Sequence, residues 1–209
     1  MAITKKHNNK QPQKTAKKPR SVKAAAKSVK RQTPLAAFRP NIKVIGIGGG
    51  ASAIVSEIGR SLQKVKFVIA DTDARNRAGG KGINRMLFGQ EFTRGLGTGL
   101  NVGLAEEAAF RERERFAKLF EGQDIVVVIA CLGGGLGSGA TKVFLQQAGQ
   151  FPGILLGIFT LPFSFEGANK ARIASMALKE IQPLLNVSIT IPNEKIFKIV
   201  DSETAITKA

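Results

Sequence analysis

The run Leu132-Gly133-Gly134-Gly135-Leu136-Gly137-Ser138-Gly139 places five glycines in seven residues directly after an apolar stretch, Ile125 to Cys131, and directly before a helical pattern. A strand-to-helix turn of this composition lets bare backbone N–H groups close around an anion at a helix N-terminus, where the helix dipole favours negative charge. That is the construction of a phosphate cradle. Alone, such a loop is equally well a flexible surface turn. Here it has company: Gly46-Ile47-Gly48-Gly49-Gly50-Ala51-Ser52 follows the first apolar run, and Gly95-Leu96-Gly97-Thr98-Gly99-Leu100-Asn101 lies between the two. Three such loops in one small domain point to a nucleotide.

Charge divides the chain in two. Residues 1–40 hold twelve Lys or Arg and no Asp or Glu, whereas residues 41–209 hold twenty bases against fifteen acids, so most of the formal charge of +17 lies in the first segment. With Pro12, Pro19, Pro34 and Pro40 and few large apolar side chains, residues 1–40 cannot offset their ordering entropy and are expected to form a basic disordered tail. Residues 41–209 suffice for one domain. The longest apolar runs, Ile125 to Leu132 and Ile154 to Leu161, fall far short of the roughly 20 residues that span a bilayer, so no transmembrane segment is expected. No apolar core follows the N-terminal charges, which argues against a secretory signal and leaves organelle targeting by the acid-free tail open. Cys131 is the one cysteine and is expected to be a buried, inert thiol; His7, the one histidine, lies in the tail, so histidine catalysis and histidine metal sites have no support in the domain.

Apolar runs of strand length alternate with helical patterns. Strands are expected at Ile42 to Ile47, Lys66 to Ala70, Ile125 to Cys131, Ile154 to Thr160 and Val187 to Ile191, with a short edge strand near Met86 to Phe88; helices are expected at Ala53 to Gln63, Asn101 to Phe120, Ser138 to Ala148 and Gly167 to Leu185. This alternation, with strands apolar throughout, predicts an α/β domain: a Rossmann-like parallel sheet with helices on both faces. Ligands of such sheets sit beyond the carboxyl ends of the strands, where all three glycine-rich loops fall. On these residues alone an NAD-binding enzyme also qualifies. Gly46-x-Gly48-x-x-Ala51 opens a helix after the first strand, and Asp71 and Asp73 follow the second, where an acid would meet a ribose. That reading leaves the other two loops unexplained.

Six stretches stand in the order found in FtsZ, the bacterial tubulin-like cell-division GTPase. They are Ile42 to Gly50, Asp71-Thr72-Asp73, Thr93 to Asn101, Gly133 to Gly139, Pro162-Phe163-Ser164-Phe165-Glu166-Gly167 and Ile189 to Lys195. The chain resembles that family over residues 41 to about 200 and not in its basic tail. The resemblance implies that Gly48, Gly49 and Gly50 approach the phosphates of GTP or GDP and that Asp71 and Thr72 lie near the nucleotide. By the same resemblance Gly97, Thr98, Gly99 and Asn101 border the terminal phosphate, and Gly133, Gly134, Gly135, Leu136, Gly137, Ser138 and Gly139 wrap the phosphate chain. Glu166 and Lys170 face the ribose, Asn193 reads the base, and magnesium sits on the phosphates. Read singly, Glu166 is equally an acid at a helix N-terminus and Asn193 equally a turn residue after Pro192.

The sequence departs from the family pattern at four places. Leu136 stands where the phosphate loop has its first threonine and Ser138 where it has its second; Ala53 or Ser52 stands for the first-loop asparagine; Lys170 stands for an arginine and loses the bidentate fork. Nothing after Val200 resembles the family's central helix or the acidic loop that positions water in the neighbouring subunit's site. The expectation is therefore a partial FtsZ-like chain, no catalytic residue of its own, and an exposed apolar sheet face where that helix packs. The implied function is a cytoplasmic, division-site GTPase domain whose partners are further copies or full-length FtsZ-like subunits. Two alternatives stay open: a non-catalytic nucleotide-binding regulator of such filaments, and the NAD enzyme. The tail adds possible affinity for nucleic acid or anionic lipid.

Overall fold

In the computed structural model, which describes residues 39–62 and 64–199, the apolar runs assemble into one parallel sheet. Its strands are β1 (Ile42–Ile47), β2 (Lys66–Asp71), β3 (Ile83–Leu87), β4 (Ile125–Cys131), β5 (Ile154–Leu161) and β6 (Val187–Pro192), in the order β3-β2-β1-β4-β5-β6. The sheet order is that of the dinucleotide-binding folds, with the crossover between β1 and β4 at its centre. The expected basic tail lies outside the described residues apart from Arg39 and Pro40. Among the described residues no helix is long and apolar enough to cross a membrane.

The helices are α1 (Gly49–Ser61), α2 (Gln90–Thr93), α3 (Val102–Arg111), α4 (Arg113–Ala117), α5 (Gly135–Gln146) and α6 (Ala168–Ile181). Alternation along the strands sends Ile45, Val68, Val126, Val128, Leu155 and Phe159 to the face packed by α3, α4, α5 and α6. Phenylalanines link that layer: Phe88 meets Phe116 edge-on at 5.0 Å, Phe116 lies 5.4 Å from Phe144, and Phe120 lies 5.0 Å from Phe144. The opposite face carries Val44, Phe67, Ile69 and Ile129 against Ala51 and Val55 of α1. Helices thus cover both faces, but unequally. Val187, Ile189 and Ile191 share the α1 face with Leu156 and Ile158 by register, and they and Ile154 are 44% to 50% exposed. The expected apolar, open strip of sheet is present there.

Three boundaries differ from the sequence reading. Helices α1 and α5 begin at Gly49 and Gly135, inside the glycine runs rather than after them. The long helix expected over Asn101 to Phe120 is broken at Glu112, whose carboxylate accepts from the Gly89 N–H at 2.6 Å and pairs with Arg115; this anchor turns the chain so that Phe116 and Phe120 both reach the core. The last helix ends at Ile181, followed by a 3-10 turn through Pro183, because proline supplies no N–H to continue it.

Candidate nucleotide site

The carboxyl ends of the strands open on a cavity of about 640 Å³. Two helix N-termini meet at its floor. Gly48, with φ 85°, turns the chain from β1 into α1, a conformation that favours glycine, and Gly133, with φ 104°, does the same between β4 and α5. At α5 the Gly135 N–H goes to the Gly99 carbonyl at 2.8 Å and the Ser138 N–H returns to Gly134, so the Leu136 and Gly137 N–H groups are the helix-terminal donors left over. The equivalent donors of α1 are those of Gly49, Gly50 and Ala51, since the Ser52 N–H binds the Gly48 carbonyl. Bare amides at two dipole-positive ends in one cavity make a seat for a chain of phosphates.

The glycines are there because backbone approaches backbone. A β-carbon on Gly135 would sit 2.7 Å from the Gly99 oxygen, and one on Gly50 would sit 2.8 Å from Cys131 Sγ. On Gly137 it would fall well inside 3.0 Å of the Cys131 carbonyl oxygen. No side chain larger than hydrogen fits without moving the strand.

Side chains line the rest of the cavity. Asp71 is buried, and its carboxylate is spent on its own loop: Oδ1 accepts the Thr72 and Asp73 N–H groups, and Oδ2 accepts from Asn76 Nδ2. It shapes the turn and has no oxygen positioned for a ribose. Asp73 is held to about pKa 2 by the side-chain hydrogen bonds of Arg75, which also donates to the Leu96 carbonyl, clipping the β2 loop to the glycine-rich loop at 95–99. At the β5 end Glu166 accepts from Lys170 Nζ and the Phe163 N–H, each at 2.8 Å, and Lys170 first and Phe163 second lower its pKa. Asn193 opens the turn after β6 and completes the wall. Burial raises the Cys131 thiol's pKa, as expected of an inert cysteine.

Of the residues singled out in the sequence, Gly48, Gly49, Gly50, Asp71, Thr72, Gly97, Thr98, Gly99, Gly133, Gly134, Gly135, Leu136, Gly137, Glu166, Lys170 and Asn193 line the cavity. Three do not. Asn101 Oδ1 caps α3 by accepting from the Leu104 N–H, Ser138 Oγ turns inward to accept the Gly133 N–H at 2.9 Å, and Gly139 packs against Val102 and Ala105. The sequence reading missed Arg75 and Asn76 as wall residues. Their one signal was position, just after the acid-rich turn that closes β2. Two hydroxyls on the cavity wall, Thr72 Oγ and Thr98 Oγ, are buried without a hydrogen-bond partner. Among the described residues no three His, Cys, Asp or Glu gather to hold a metal.

The sequence profile of the Tubulin/FtsZ family, GTPase domain, matches residues 41–201. An empty FtsZ dimer from M. jannaschii has a TM-score of 0.75 at 29% identity, over 83% of this chain and 50% of that one. GDP-bound CetZ1 from Haloferax volcanii gives 0.69 at 21% identity over 80% and 54%, and a GTPγS-bound CetZ2 protofilament from the same organism gives 0.69 at 20% over 80% and 52%. The chain spans about half the length of the structures it matches.

Proposed function

The chain belongs to the Tubulin/FtsZ family, and from that premise we propose that it binds GTP and GDP, associates head to tail with further copies or with full-length FtsZ-like subunits, and acts in the cytoplasm at the division site. The observation that carries the reading is the cavity's polarity. One end offers helix-terminal amides to phosphates; the other presents the Glu166 and Lys170 side chains and the Asn193 amide, which has both donors and an acceptor for a purine edge. Magnesium would neutralise the phosphates, held mainly by their oxygens and water, since the cavity's carboxylates are engaged.

The same engagement bears on turnover. Asp71 is locked in its turn, Asp73 is paired with Arg75 and Glu166 with Lys170, so no carboxylate on the wall is free to orient an attacking water. Hydrolysis by this chain alone is expected to be slow, with the missing group supplied across a subunit contact. This observation also favours the second reading, a non-catalytic regulator that docks on filaments. The buried Asp71, with no oxygen left for a ribose, weighs against a nicotinamide dinucleotide.

The test is titration of the full chain with GTP, GDP, ATP and NAD in magnesium buffer, followed by calorimetry. Guanine-selective binding supports the proposal; equal affinity for ATP and GTP, or binding of NAD alone, overturns it. Co-sedimentation with a complete family member then separates the readings, because a copolymer pellets with the filaments whereas a capping regulator shortens them. For residues 1–40 the proposal is sequence-blind attraction to nucleic acid or anionic lipid, and its affinity must fall as salt rises.

A further inference from the structure

We infer that Thr98 Oγ donates to the terminal phosphate of the bound nucleotide and is the contact that separates a triphosphate from a diphosphate; this rests on the guanine-nucleotide reading above. The cavity runs across the carboxyl edge of the sheet in strand order. Asn193 follows β6, Glu166 and Lys170 follow β5, the Gly133 loop follows β4, the Gly48 loop follows β1, and Asp71 to Asn76 follow β2. The loop at 95–99 closes over that last stretch, held by the bridge between Asp73 and Leu96 and the Ala74 N–H to the Gly95 carbonyl. A nucleotide with its sugar at the Glu166 end therefore extends its phosphates toward β1 and β2, and the last of them reaches Thr98.

The hydroxyls around that end are otherwise taken. Ser138 Oγ accepts the Gly133 N–H, Ser52 Oγ donates to the Gly48 carbonyl, Thr141 Oγ to the Gly137 carbonyl, and Thr93 Oγ to the Gly89 carbonyl. Leu136, in the middle of the phosphate loop, is apolar and lies against Gly48. The loop between β4 and α5 thus brings amides and no free hydroxyl. Thr98 supplies what it lacks. Its Oγ is buried and unpartnered, 2.9 Å from where a β-carbon of Gly135 would be, which sets it beside the first residue of α5 and the unused Leu136 and Gly137 N–H groups. A buried hydroxyl without a partner is destabilising, and such a group persists where a ligand completes it. Thr72 has the other orphaned hydroxyl, but it is wholly enclosed, whereas Thr98 keeps 8% of its surface open.

The experiment compares the full wild-type chain with Thr98→Val and Thr98→Ser, titrating GDP and GTPγS by calorimetry and recording nucleotide-free thermal midpoints. Valine keeps the shape and removes the donor. The expected result is a loss of about tenfold for GTPγS with GDP unchanged, while serine retains wild-type values. The nucleotide-free midpoint of Thr98→Val should be equal or higher, because an unsatisfied hydroxyl has gone; a purely structural threonine would lower it. Equal loss for both nucleotides, or loss for neither, overturns the inference and leaves the guanine reading standing. A wild-type chain that binds neither nucleotide overturns both, and the two failures are told apart by that first titration.

Discussion

The two ends of the cavity are built on different principles. At the phosphate end the working groups are backbone amides, and residues 135–141 of α5 are all buried, cross-braced by Gly135 to Gly99 and by Gly133 to Ser138. At the opposite end Glu166 and Asn193 stand on 3-10 turns and Lys170 in the first turn of α6. Those turns are held by side chains: Glu166 on Lys170 and Phe163, Glu194 on the Ser164 N–H, and Phe163 stacked on Phe165 and against Phe197. A site fixed by backbone contact can change only by moving strands and helices, whereas one fixed by exposed pairs can be retuned residue by residue. The contrast assigns affinity to the first end and selectivity to the second.

The contrast breaks most severely at Gly137. Alanine there drives a β-carbon into the Cys131 carbonyl, so Gly137→Ala should destabilise the domain by about 3 kcal/mol in urea denaturation and abolish nucleotide binding. Gly49 sits in a similar run with nothing near its β-carbon position, and Gly49→Ala should stay within about 0.5 kcal/mol of wild type. Equal effects at the two glycines would mean that close packing does not set the phosphate end. Next in size, Asn193→Ala should lower GTP affinity about tenfold and leave ATP affinity unchanged, reducing selectivity without touching stability. A parallel fall for both nucleotides would place Asn193 outside base recognition.

The smallest effect concerns charge. Glu166 has its pKa lowered in the folded state by Lys170 and Phe163, so its contribution is present above the ordinary carboxylate value of 4.5 and is lost as the pH falls through the lower, folded value. The stability gap between wild type and Glu166→Gln should be at most about 1 kcal/mol at neutral pH, because the pair is partly exposed, and should close in acid. A gap independent of pH would show that hydrogen-bond geometry, and not charge, holds the turn.

Strands were the most legible elements. Ile42–Ile47 and Ile125–Cys131 match their expected bounds residue for residue, because a strand buried on both faces is an unbroken apolar run that ends where glycine begins. The turns carrying Glu166 and Asn193 have no periodicity to announce them; only their resemblance to known motifs drew attention to them. Asp71 was legible as an acid beside the cavity but not as a spent one, since its partners, Asn76 included, depend on how the loop folds back. The break at Glu112 was hidden for a similar reason: its cause, the Gly89 N–H, lies 23 residues away in sequence.

From the sequence alone follow the α/β alternation, the parallel sheet, and the placing of three glycine-rich loops at one edge, because hydrophobic period and turn composition are local properties. Tertiary structure decided what the glycines are. Their low helix propensity reads as loop, yet Gly49, Gly50, Gly135 and Gly137 lie within the first turns of α1 and α5. They are helical because strand β4 and the 95–99 loop press against those turns at distances that exclude a β-carbon, and that contact exists only once distant segments have met.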